Sequence, residues 1–277
     1  MTLSVRNSIF RGGIILAVIS LAIIAAGGYY AFSAIPEVSA AAAQRSQGLI
    51  NIIIKETGEP SEYVPFWTML GLAAYSLVSI ILIYYFFEKT QSPEILFLCF
   101  FVISLSFEFI RILLPLRRIF PFPDMYLITA SRILLFGRNF GLLSLFAASV
   151  FAAGLDMQRQ QSVLIMLILA SMVIALNIPI DSLVWDSTFV LWNGYNTMLK
   201  IAGTGILGIT IITFFISAHT RGSKSYITIG IGTFLVFLGR NISFCSDNWV
   251  TLVPGFILLV LGTWLVCSRL HREYLWL

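Results

Sequence analysis

Eight mostly apolar runs of about twenty residues or more, each long enough for one crossing, follow one another along the chain. They lie at 13–33, 65–87, 95–116, 125–154, 163–184, 192–218, 226–244 and 249–268. As an α-helix, a run of this length crosses the roughly 30 Å hydrocarbon core of a bilayer with every backbone N–H and C=O satisfied internally. The chain is therefore read as all-α, a polytopic transmembrane helical bundle of eight spans forming one transmembrane domain over 1–277. Only 11% of its residues are charged and its mean hydropathy is +0.93, whereas a soluble domain carries roughly 25% charged residues. That excludes a water-soluble globule, a disordered tail and a nucleic-acid-binding module. The net charge of +4 does not point to nucleic acid, because the basic residues gather mostly at span ends, as topology requires.

Local chemistry marks several of these ends. Ser92-Pro93-Glu94 places a capping serine, a proline at the first helical position and an acid against the helix dipole, so a helix starts there. Pro121 and Pro123 break the chain between spans three and four, and Gly222-Ser223 opens a turn between six and seven. Tyr63, Trp67, Trp185, Trp192 and Trp249 sit near span ends, where amphipathic rings favour the interface. The fourth run exceeds one crossing and is expected to project from the inner face. The first run has an alternative reading as a cleaved signal peptide, with Arg6 and Arg11 as its basic region and small residues at 31–34, which would leave seven spans. Its apolar length favours a retained anchor.

Lys and Arg counts set the expected orientation. With the amino terminus inside, the inner segments hold Arg6, Arg11, Lys89, Arg159, Arg221, Lys224, Arg269 and Arg272, and the outer ones hold Arg45, Lys55, Arg117 and Arg118. This asymmetry puts both termini in the cytoplasm and suits a cell (inner) membrane. The outer loop 35–64 carries Leu49, Ile50, Ile53 and Ile54 at helical spacing, which predicts a short interfacial amphipathic helix. Residues 269–277 form a short cytoplasmic tail. Cys245 and Cys267 fall on opposite sides of one span, about 30 Å apart, so they do not form a disulfide, and Cys99 lies in an apolar helix. No metal site or cofactor is expected: His219 and His271 both lie at the inner surface, away from where an intramembrane metal or haem would need them.

Five basic residues remain inside spans: Arg111, Arg132, Arg138, Lys200 and Arg240. Each costs on the order of 2.5–3.5 kcal/mol at a helix centre, and such residues are functional-site hypotheses by default. Glu108 is the acid buried beside them, three residues before Arg111 and so on the same helix face. At about 1.5 Å per residue, Glu108 and Arg111 lie roughly 20 and 24 Å from the inner face, and Arg240 about 21 Å. Arg132 and Lys200 fall about 10 and 12 Å below the outer face. These residues converge on one layer in the outer half. Arg138 falls deeper, nearer the cytoplasm. Asp181 beside Pro179 is positioned to neutralise one cation, and Ser131, Asn196, Thr197, Asn241 and Ser243 supply polar neighbours.

The layer reads as a cationic, outward-opening cavity for an anionic small molecule or a lipid headgroup, because guanidinium forks two hydrogen bonds onto one anion. Glu108, Arg111, Arg132, Lys200, Arg240 and Asn241 are the expected ligand-binding residues, with Arg138 and Asp181 as possible additions. The bland reading of Arg132 and Lys200 is that they snorkel to the interface, and that of the whole layer is a structural polar network. Three functions remain open. A sensory or signalling component would act through a partner protein. A transporter would carry a small anion or lipid past the layer, and an enzyme acting on lipid headgroups would use Glu108 or Asp181 as base. Gly137-Arg138-Asn139 recurs as Gly239-Arg240-Asn241 on oppositely directed spans, a weak hint of an inverted repeat.

Overall fold

A computed structural model describes residues 3–38, 61–88, 90, 92–180 and 183–275. It contains eight helices long and apolar enough to cross a membrane: α1 (Leu3–Ala31), α2 (Val64–Phe87), α3 (Pro93–Ile119), α4 (Asp124–Ala152), α5 (Gln160–Asn177), α6 (Asn196–Arg221), α7 (Ser225–Phe244) and α8 (Trp249–Leu275). No β-strand occurs among the described residues, and their one β-bridge joins Trp185 to Leu191.

The sequence of α3 explains why it lies at the centre. Every residue of its first segment, Pro93–Leu105, is buried, and a helix that is apolar all round must be enclosed on all sides. Its start is built as the residues require. The Ser92 hydroxyl accepts from the Ile95 N–H at 3.4 Å, and Pro93 stands at the first helical position. Around α3, the helices touch in succession from α2 to α8, α7, α6 and α4, and α3 itself meets both α2 and α4. α1 packs against α2 and α3, with Phe10, Ala17 and Ile24 buried. At its start, Arg6 donates from Nη2 to the carbonyls of Phe87 (3.0 Å) and Glu88 and lies over the Phe10 ring. A cation at the carbonyl end of α2 is favoured by the helix dipole. Arg6 thus fastens α1 into the bundle.

α7 and α8 pack most closely. A Cβ on Gly239 would sit 2.6 Å from the Leu259 amide nitrogen and 2.7 Å from the Gly255 carbonyl, and one on Gly262 would sit 2.7 Å from the Gly232 carbonyl. Glycine at these four positions lets the two backbones meet, as small residues do between membrane helices. Ser144, Ala148 and Ala152 are likewise buried along one face of α4.

Some sequence expectations need correction. α5 ends at Asn177, short of 184, because Pro179 stops it; α6 starts at Asn196, not at 192. Between them, residues 184–192 form a hairpin, with Trp192 N–H donating to Val184 O at 2.7 Å and Asp186 N–H to Val190 O at 3.0 Å. At its start, α4 is tied to the end of α3 by the ion pair of Asp124 with Arg117. The expected amphipathic helix falls in 39–60, outside the described residues, and so do Asp181 and Lys89.

Candidate functional site

Midway along its path, α3 changes from α to 3-10 geometry over Ser106–Ile112. In a 3-10 helix residues three apart eclipse each other, which stacks Glu108 and Arg111 more directly than an α-helix would. Arg111 Nη1 donates to Glu108 Oε2 at 3.1 Å, and both side chains are essentially enclosed. The tighter winding follows a serine pair: the Ser76 hydroxyl of α2 bonds to Ser106 Oγ and to the Val102 carbonyl, each at 2.8 Å.

α4 brings Arg138 to the same carboxylate. Its Nε lies 2.7 Å from Glu108 Oε1 and its Nη2 2.9 Å from Oε2, a two-pronged contact. Gly137 makes the approach possible, since a Cβ there would fall 2.7 Å from the Phe107 Cβ. Counting down from Met125 places Arg138 nearer the inner face than Glu108, whereas its contacts set it level with that carboxylate. From the terminal end, Arg138 lies about 21 Å from Ala152, Glu108 about 22 Å from Pro93 and Arg240 about 22 Å from Ser225, at about 1.5 Å per residue. They share one level.

α7 supplies Arg240, which is buried. Its Nη2 donates to the Arg138 carbonyl at 2.5 Å, so Gly239 and Arg240 tie α7 at once to α8 and to α4. Arg138 and Arg240 also lie over one ring: their Cζ atoms are 4.4 and 4.8 Å from the Phe244 centroid. A guanidinium within about 6 Å of an aromatic face is attracted by the ring quadrupole. Yet no carboxylate among the described residues pairs with Arg240, and its Nε is buried without a hydrogen-bond partner. The cluster therefore holds three guanidinium groups and one carboxylate.

The remaining expected site residues lie elsewhere. Lys200 and Asn241 are exposed. Arg132 is half-buried, with an Nε that has no partner, and makes no ion pair among the described residues. So the structure joins Glu108, Arg111, Arg138 and Arg240, and leaves Arg132, Lys200 and Asn241 outside.

Two participants escaped the sequence reading. Phe244 stands four residues after Arg240, a spacing that puts both on one helix face, so its role had a signal. The other is the 184–192 hairpin. Arg111 donates from Nε (2.7 Å) and Nη2 to the Thr188 carbonyl. Asp186-Ser187-Thr188 is a turn signature, because an Asp side chain hydrogen-bonds its own backbone two residues on. Here Asp186 Oδ1 accepts from the Thr188 N–H at 3.0 Å and from the Val190 N–H at 3.1 Å.

No protein-family model, curated protein or solved structure matches the chain.

Proposed function

We propose that this integral membrane protein is a sensory or signalling component that binds an anionic group, a carboxylate, a phosphate or a lipid headgroup, at Arg138 and Arg240. The observation that carries the reading is Arg240: a buried cation held by one main-chain carbonyl and one aromatic ring, with no carboxylate partner among the described residues. Among the described residues Glu108 is the one carboxylate bonded to the cluster, and Asp186 acts on Arg111 and Arg138 from further away. This leaves Arg240 without a carboxylate of its own inside an apolar bundle, and an anion would offset its charge. The Lys and Arg asymmetry supports cytoplasmic termini in a cell membrane, and a partner protein would receive the signal.

The test is ligand-dependent thermal stabilisation of the purified protein, with phosphate, acetate and anionic-lipid additives. Wild type is expected to be stabilised by at least one of them, and the double variant Arg138→Gln/Arg240→Gln by none. Equal shifts in both proteins would overturn the reading.

Transport of a small anion is the second reading. It is favoured by the recurrence of Gly-Arg-Asn at 137–139 and 239–241 on oppositely running helices whose arginines meet. Anion flux into reconstituted vesicles would select it. The enzyme reading draws no support from Glu108, whose two oxygens are both engaged by guanidinium donors.

A further inference from the structure

The hydrogen-bonding edge of Arg111 formed by Nε and Nη2 is the one that fits two oxygens of a carboxylate or phosphate. It is directed away from Glu108, and a single main-chain carbonyl, that of Thr188, occupies it. Thr188 belongs to the tip of the 184–192 hairpin, and the Asp186 side chain holds that tip in shape by accepting from the Thr188 N–H and hydroxyl (2.7 Å). The next residue, Phe189, has φ +61°, a left-handed conformation that is costly for a bulky side chain. Its ring is nonetheless buried and borders a small cavity lined by Ile110, Arg111, Leu127, Ala130 and Leu134. Strain of this kind persists where the surroundings over-determine it and clusters at switches and clamps. Glu108 and Arg111 lie on the 3-10 stretch of α3, and such mid-helix stretches often mark hinges.

From these contacts we infer that the 184–192 hairpin is an internal plug: the Thr188 carbonyl stands in for an anion at Arg111, and anion binding at Arg138 and Arg240 releases it. The inference rests on the anion-binding reading above. Glu108 links the two ends, taking two bonds from Arg138 and one from Arg111. An anion drawn toward Arg240 competes for the Arg138 guanidinium. Glu108 then relies on Arg111, whose Nε and Nη2 edge swings from the Thr188 carbonyl to the carboxylate. The hairpin loses its buried polar anchor while the strain at Phe189 favours its departure. A ligand moves an equilibrium only through its differential affinity for the two states. Here that difference is the Arg138 guanidinium, which the anion gains in full when the plug is out. By linkage, a plug locked in place weakens anion binding.

Maleimide labelling of the full chain carrying Ser187→Cys tests this, in a Cys245→Ser background because Cys245 is exposed. Ser187 is half-buried, its hydroxyl 3.4 Å from Asp247 Oδ2. Two probes are used: inorganic phosphate on detergent-solubilised protein, and phosphatidylcholine vesicles with and without phosphatidic acid. Labelling is expected to accelerate roughly tenfold, the equivalent of about one charge-assisted hydrogen bond. A response to phosphate alone assigns a soluble anion, and a response to phosphatidic acid alone assigns a headgroup. Arg111→Lys keeps the charge but loses the fork, so it should label rapidly without any anion. If Arg111→Lys labels no faster than its parent, the Thr188 contact does not hold the hairpin and the inference is overturned. If phosphate raises the melting temperature through Arg240 while labelling stays constant, the plug is refuted and the anion reading survives. If neither probe shifts the melting temperature, the anion reading itself fails and the proposed trigger fails with it.

Discussion

Replacing Glu108 with glutamine isolates the electrostatics of the cluster, because the side chain keeps its shape and loses its charge. Glu108 is 1% exposed and accepts three hydrogen bonds from two guanidinium groups, at 2.7, 2.9 and 3.1 Å. In Glu108→Gln one acceptor oxygen becomes an NH2 group that must face arginine N–H donors. The local charge rises by one where three cations already meet. Removing one partner of a buried ion pair costs about 3–5 kcal/mol, since the survivor stays buried and unpaired. A loss in this range is expected, seen as a fall in melting temperature on the order of 10 °C. Arg138→Gln alone should cost less, because Glu108 keeps Arg111. The double variant should then be more stable than the sum of the singles by roughly 2 kcal/mol, the signature of directly coupled residues. As a control, Asn241→Ala at an exposed position should change stability by no more than about 0.5 kcal/mol. Coupling below about 0.5 kcal/mol between positions 108 and 138 would refute the claim that this ion pair organises the centre of the bundle.

Two further outcomes are expected. Gly239→Ala should destabilise by about 1–3 kcal/mol, the usual cost of overpacking, because its Cβ would meet the backbone atoms of Leu259 and Gly255 at 2.6 and 2.7 Å. Gly208→Ala, with nothing within 4 Å of the added atom, should leave melting unchanged or slightly raised, and equal losses at the two sites would refute close α7–α8 packing. Asp247, in the turn between α7 and α8, has a pKa raised by burial, with nearby Asp186 adding to the effect. The folded state then binds its proton more tightly than the unfolded chain, so stability should fall as pH rises from the ordinary carboxylate range through the raised value. Asp247→Asn should remove that component from melting curves recorded over about pH 4 to 8, and an unaltered slope would contradict it.

Much of this was legible in the residues, and the reasons differ by element. The Ser92-Pro93-Glu94 start was readable because capping chemistry is local, and the 108/111 pair because three-residue spacing aligns side chains in any helix. The position of Arg138 was not readable. Its depth depends on where along its length an overlong α4 meets α3, and the close approach at Gly137 and the contact of Arg138 with Glu108 set that level. The hairpin was hidden because Val184, Leu191 and Trp192 are apolar enough to read as the ends of spans. Only Pro179 and the Asp186-Ser187-Thr188 turn signal argued otherwise. Lys200 shows a different limit. Counting residues gives depth in the membrane but says nothing about which way a helix is turned, and Lys200 has the right height with its side chain exposed.

Arg6 and Arg240 together show why an unpaired cation points to function at one place and not at the other. Both are buried, both lie over a phenylalanine ring, and both keep a guanidinium nitrogen without a partner. An orphaned nitrogen is therefore not enough to mark a site. The difference lies in what surrounds the charge. Arg6 closes the carbonyl end of α2, where unpaired C=O groups and the negative end of the helix dipole receive it. Arg240 stands about 22 Å into α7, against a carbonyl in the body of α4 and beside a second guanidinium. No helix end is there to balance it, Glu108 is already shared by two other arginines, and Asp186 acts on those same two. Helix-end chemistry balances the charge of Arg6 and does not reach Arg240. A cation that the described residues leave without a carboxylate partner at the centre of the bundle is the place where an added anion would most change the energy of the cluster.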